Sequence, residues 1–155
     1  MTQEDKELLL KDLCVRLPYG IMVLEDIDKE FDGGCVSELV TITEIKGEKM
    51  FLTKNSLTPV TIEEICPYLR PMSSMTEEEF EKLKEYSGLK YEQLDLASYQ
   101  NGTYKCLDFY LSEVPSYVVI LVFDWLNAHH FDYRGLIEKG LAIEVTEENN
   151  PYERK

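Results

Sequence analysis

Between Trp125 and Ala142 the chain reads WLNAHHFDYRGLIEKGLA, which holds its one tryptophan, both of its histidines and an Asp-Tyr-Arg triplet. These residue types can do chemistry: His129 and His130 can move protons or ligate a metal, Asp132 can orient an imidazole, Tyr133 can give up a proton and Arg134 can hold an anion. Spacing limits the possibilities. Consecutive residues on a helix diverge by roughly 100°, so the two histidines cannot face one ion unless the helix has already unwound. No nucleophile is written beside them, and no G-x-S-x-G, H-E-x-x-H, Walker or G-x-G-x-x-G pattern occurs anywhere. A structural reading gives every residue a task. Histidine suits a helix C-terminus, Asp132 caps a short helix over Tyr133 to Lys139 that Gly140 stops, Trp125 and Phe131 fill core, and Arg134 pairs with a carboxylate. The residues imply no catalytic, cofactor or metal site. They leave Tyr68, Arg70, His129, His130, Asp132, Tyr133 and Arg134 as a corner that a partner could use.

The elements that must position this corner can be read from periodicity. Val118, Leu121, Val122, Trp125, Leu126 and His129 share one helical face, which predicts a helix from Pro115 to His129. At the other end of the chain, Leu9, Leu10, Leu13, Cys14 and Leu17 recur at helical spacing after a Thr2 N-cap, with Asp5 three residues on, and Pro18 and Gly20 end that helix. Ile21 to Leu24, Val36 to Ile45 and Met50 to Thr53 read as strands, the last two joined by a hairpin at Lys46-Gly47-Glu48. Thr61 to Ile65 reads as a single turn before a proline-bounded connector. Ser74 or Thr76 then caps a helix, with Thr76 and Glu79 forming a capping box, and Gly88 closes it. Asn101-Gly102 predicts a second small hairpin, with a loop-rich connector as the alternative, and 146–155 lacks apolar periodicity and is expected to fray. The fold class implied is α+β: an N-terminal helix, a small antiparallel sheet, then C-terminal helices. It forms one domain over 1–145, or two lobes of about 1–70 and 71–145.

Composition narrows the function classes. Thirty acidic against sixteen basic side chains give a net charge of -14, which repels phosphate backbones and anionic lipid, so direct nucleic-acid or membrane binding is not expected. The longest apolar run, Tyr117 to Phe123, is too short to span a bilayer, and the charged N-terminus does not resemble a signal peptide, so the expected location is cytoplasmic. Cys14, Cys35, Cys66 and Cys106 are scattered and predict buried, reduced thiols rather than a zinc or redox motif. The alternating carboxylates Asp26, Asp28, Glu30 and Asp32 invite comparison with a calcium loop. That pattern fails, because Phe31 and Ser37 stand where an EF-hand needs Gly and Glu. The loop reads as a solvated acidic linker.

Three segments, LKDLCVRLPYG, PYLRPMSSMTEEE and DWLNAHHFDYRGLIEKGLA, resemble in that order a family of small uncharacterised proteins recurrent in gut Bacteroidetes genomes and their resident phages. The resemblance implies a phage or mobile-element setting and no known activity. Three functions remain open: a non-enzymatic interaction or regulatory module whose partner is another protein, an acidic nucleic-acid mimic that inhibits a DNA-binding enzyme, and a small enzyme centred on His129 or His130.

Overall fold

The computed structural model describes residues 1–27, 36–47, 49–52, 59–89, 94–98, 105–109 and 114–153. The chain is α+β and divides into two compact units, one formed by Met1–Leu69 together with Arg134–Lys155 and the other by Arg70–Tyr133. Each has its own apolar cluster.

In the first unit, helix α1 (Gln3–Arg16) starts as its sequence requires: Thr2 accepts from the Asp5 N–H at 3.2 Å, and the Asp5 carboxylate returns a bond to the Thr2 N–H at 2.9 Å. The Thr2 bonds hold the Asp5 carboxyl below its usual range. Leu9 and Leu13 are fully buried. Cys14, expected inside, is exposed, because the inward stripe runs through Asp12 and Arg16 instead. A 3₁₀ turn (Leu17–Tyr19) and Gly20, with φ of 69°, a value glycine adopts without strain, end the helix.

Strands β1 (Met22–Ile27), β2 (Val36–Lys46), β3 (Lys49–Leu52) and β4 (Val60–Thr61) follow in antiparallel pairs, ordered β4-β3-β2-β1. Lys46 pairs with Lys49, so the expected hairpin closes between these two lysines. Ile21, Val23, Val40, Ile42 and Met50 alternate into the core beneath α1. The acidic linker 28–35 lies outside the described residues.

The proline-bounded connector is a strand, β5 (Ile65–Pro71), a departure from the reading of its sequence. Ile65, Pro67 and Leu69 alternate inward, and the strand pairs antiparallel with β1 through Val23↔Pro67 and Glu25↔Ile65. A 3₁₀ turn (Ile62–Glu64) with a Thr61/Glu64 capping box leads into it. Beside β5 lies β9 (Ile143–Glu144), in parallel register Tyr68↔Ile143, so the sheet is mixed rather than purely antiparallel.

The second unit contains helix α2 (Glu77–Ser87), strands β6 (Leu94–Ser98) and β7 (Lys105–Phe109), helix α3 (Ser116–Ala128) and strand β8 (Phe131–Asp132). The Thr76/Glu79 capping box starts α2. At its end Gly88 N–H reaches Glu85 O at 3.3 Å and Leu89 N–H reaches Lys84 O at 3.0 Å, the paired bonds of a Schellman close. Strands β6 and β7 pair antiparallel from Leu94↔Phe109 to Ser98↔Lys105, while the Asn101-Gly102 turn itself lies outside the described residues. Helix α3 packs on α2 and buries Val118, Val122, Trp125 and Leu126.

Candidate functional site

At the C-terminus of α3, four planar groups stack in a column. His129 is the C-cap residue: its backbone N–H donates to Trp125 O at 3.1 Å, and its Nδ1 lies 2.8 Å from the same oxygen. A carbonyl only accepts, so Nδ1 is the donor in this bond. The imidazole lies on the Trp125 indole with centroids 3.8 Å apart and 19° between planes. The indole in turn faces Phe131 at 5.9 Å and 15°, and the Arg70 guanidinium carbon sits 4.2 Å over the Phe131 ring. The column runs from the half-buried Arg70 to the exposed His129, with Trp125 and Phe131 buried between them.

Arg70 is oriented by a fork onto Glu79, with Nη1 to Oε1 at 2.7 Å and Nη2 to Oε2 at 3.0 Å. Glu79 is also the acidic partner of the α2 capping box. Burial pushes its carboxyl up, but the Arg70 fork and the Thr76 bonds outweigh this and hold it below the usual carboxylate range.

His130 has φ of 59°, the one non-glycine residue with positive φ among the described residues. This left-handed residue closes α3, its N–H donating to Asn127 O at 3.2 Å. It turns the chain into β8, and its carbonyl accepts the Arg70 N–H at 2.8 Å. β8 then pairs parallel with the end of β5, through Arg70↔Phe131 and Pro71↔Asp132.

Asp132 therefore lies buried in a strand, and the helix it was expected to cap does not form. Residues 133–139 are turns, closed at Gly140 (φ 68°) by bonds from Gly140 N–H to Ile137 O at 3.0 Å and Leu141 N–H to Leu136 O at 2.9 Å. With Gly135 also at a φ of 71°, the segment makes one tight turn. Tyr133 donates its hydroxyl to Asn127 Oδ1 at 3.0 Å, and its ring meets Phe123 at 4.9 Å.

Tyr68 and Arg134 belong to the first unit, so the structure divides the seven-residue corner between the two units. Tyr68 contributes its carbonyl, which accepts the Tyr152 hydroxyl at 2.7 Å, and the Met22 N–H donates to that hydroxyl at 3.4 Å. Burial pushes the Tyr152 phenol above its usual range. The tail, expected to fray, is thus tied down over its described part, 146–153, with Asn149 adding bonds to Thr146 N–H and Glu144 O. Arg134 Nε lies 3.2 Å from Asp12 Oδ1, the carboxylate partner expected for it. Asp12 also takes a fork from Arg16, at 2.7 and 3.1 Å, and both of these side chains are fully buried.

Chemically, this is a set of positioned groups rather than a reacting constellation. Arg70, Tyr133 and Arg134 are directed at other side chains, and His129 Nδ1 at a carbonyl, so no nucleophile and base face one another among these residues. Among the described residues, no group of three His, Cys, Asp or Glu side chains could hold a metal.

Sequence reasoning passed over the opposite face of α3. Tyr117, Ile120 and Phe123 are 65%, 68% and 37% exposed, large apolar side chains three residues apart on one face. The signal is in the sequence: SYVVILVF is apolar all round, more than one buried face can use. Beside this row, Tyr86 of α2, itself half exposed, donates to Asp124 Oδ2 at 2.9 Å, and that bond raises the phenol above its usual range.

Compared with known proteins, the chain matches no protein-family model, no curated protein and no solved structure. Among the described residues, no helix is long and apolar enough to cross a membrane.

Proposed function

We propose that this is a non-enzymatic interaction or regulatory protein, acting in the cytoplasm in a phage or mobile-element setting, whose partner is another protein. The observation that carries this reading is the exposed row Tyr117, Ile120 and Phe123 on α3. Large apolar side chains left in water along one helix face mark association sites. The engagement of Arg70, His129, Tyr133 and Arg134 within the fold supports it further, since each of these groups positions the fold instead of facing an open site. The net charge of -14 supports a protein partner over nucleic acid.

The test is affinity capture from the host cell with mass spectrometry, using wild-type and Ile120→Asp baits side by side. A protein retained by the wild type and lost by the variant is the expected result. Identical retention by both baits, or a turnover that disappears in His129→Ala, refutes the reading.

A further inference from the structure

Within the first unit, the pairing of β1 with β5 runs through Glu25↔Ile65, Leu24↔Cys66 and Val23↔Pro67 and stops there. The same register would set Met22 opposite Tyr68. The Met22 N–H and the Tyr68 carbonyl do face a common point, but a third group fills it: the Tyr152 hydroxyl accepts from Met22 N–H at 3.4 Å and donates to Tyr68 O at 2.7 Å. One phenol oxygen thus holds the place of a ladder bond.

The tail that carries this hydroxyl is anchored by Tyr152. Among the described residues, the other hydrogen bonds of 146–153 are local, from the Asn149 amide to Glu144 O and from the Thr146 and Tyr152 N–H groups to the side chains of Asn149 and Asn150. Thr146, Glu147, Glu148 and Glu153 are exposed, and Pro151, beside the anchor, is buried. A segment with one anchoring side chain and little buried apolar surface opens at a free energy well below that of the unit it covers. Opening takes the shared partner away from Met22 N–H and Tyr68 O. These are in register, and a donor and acceptor left facing each other pair.

We propose that residues 146–153 are a latch on the sheet of the first unit. Closed, Tyr152 ends the β1–β5 ladder at Val23↔Pro67. Released, the tail lets Met22 N–H bond directly to Tyr68 O, and the ladder grows by one pair. The direct bond offsets part of what the anchor loses, so release is less costly than the loss of Tyr152 alone. The two states exclude each other at one point: whatever draws Pro151-Tyr152 from its seat extends the ladder, and whatever closes Met22 onto Tyr68 expels the tail.

The test is amide hydrogen exchange of the whole isotope-labelled chain by nuclear magnetic resonance, with Tyr152→Phe and Tyr152→Ala beside the wild type. Tyr152→Phe keeps the ring in its seat and takes away only the hydroxyl, so the Met22 amide should exchange about tenfold faster. Tyr152→Ala removes the anchor, and the Met22 amide should then exchange about tenfold slower than in the wild type, the value of a direct ladder bond gained. In the wild type, the Thr146 and Tyr152 amides should exchange through an opening that low urea does not speed, whereas the Leu13 amide of α1 exchanges through one that it does. A glutamate-specific protease should cut Tyr152→Ala at Glu147 or Glu148 about tenfold faster than the wild type, as a change in opening free energy of one such bond gives.

The proposal is overturned by a Met22 amide that Tyr152→Ala speeds or leaves unchanged, since the hydroxyl would then satisfy two groups without holding a ladder open. It is overturned equally by cutting at Glu147 and Glu148 that Tyr152→Ala does not change. Wild-type tail amides that open only in the urea-sensitive unfolding that frees Leu13 also overturn it, and this arm decides the matter even where a variant does not fold.

Discussion

Asp12→Asn should be among the most damaging conservative changes in the first unit. The carboxylate takes two bonds from Arg16, at 2.7 and 3.1 Å, and lies 3.2 Å from Arg134 Nε, with Asp12 and Arg16 fully buried and Arg134 29% exposed. Asparagine keeps the shape but leaves a guanidinium charge in the core. Breaking a buried pair from one side costs about 3–5 kcal/mol. For a chain of this size each kcal/mol is roughly 2–4 °C, so the melt should fall by about 6–20 °C. Arg134 adds little to the loss, because its partial exposure lets it turn to water. The double change Asp12→Leu with Arg16→Met removes both charges and keeps the volume, and should return most of the stability or exceed it. Urea unfolding followed by far-UV circular dichroism measures this, and Trp125 fluorescence reports the second unit separately. An Asp12→Asn protein within about 1 kcal/mol of wild type would show that the pair is not desolvated as described.

Other bonds and stacks make three further outcomes measurable. Tyr152→Phe leaves the Tyr68 carbonyl without its donor and should cost about 1–3 kcal/mol by urea unfolding. Because burial raises the Tyr152 phenol above its ordinary 10.0, that residue's contribution is complete below pH 10 and fades as pH rises beyond it, so Tyr152→Phe should flatten the alkaline limb of stability against pH. Glu79 is held below its ordinary 4.5, so its contribution is present above pH 4.5 and is lost as pH falls further; melts of Glu79→Gln should show a shallower acid limb. Trp125→Ala should cost about 3–5 kcal/mol by opening a cavity in the second unit, while His129→Ala, at the exposed end of the stack, should shift the melt by only a small fraction of that.

What the sequence made legible is local chemistry. Thr2 with Asp5 and Thr76 with Glu79 start helices because the reciprocal bonds lie within three residues, and Gly20 and Gly88 stop them for an equally local reason. What it hid depends on distant partners. Pro67 and Pro71 read as breakers, yet the inward alternation of Ile65, Pro67 and Leu69 is satisfied by strands that arrive from elsewhere in the chain. Asp132 resembles a cap only if a helix follows, and the left-handed His130 redirects the chain into β8 first. Periodicity alone draws the stripe of α1 through Cys14, because an Asp–Arg pair four residues apart reads as surface. The pair turns inward here because each charge brings the other's compensation and Arg134 returns to the same carboxylate. In the candidate corner, the residue types and a break near residue 70 are visible in the sequence, and the return of Arg134 to the first unit is not.

The placement of the basic groups bears on what kind of partner such a chain can accept. Of its four arginines, Arg16, Arg70 and Arg134 are 0%, 23% and 29% exposed, each set against a carboxylate, and the ammonium of Lys84 is nearly as enclosed as Arg16 at 7%. A guanidinium spent on an internal carboxylate cannot screen the carboxylates outside. Glu81, for example, faces water at 50% exposure while the Lys84 paired with it lies inside. Other lysines remain outside, as Lys82 does at 61%, but these are mobile point charges that salt screens readily. The two guanidiniums forked onto carboxylates, Arg16 and Arg70, are among those turned inward. At long range the net charge of -14 therefore speeds the approach of a basic surface and slows that of an acidic one.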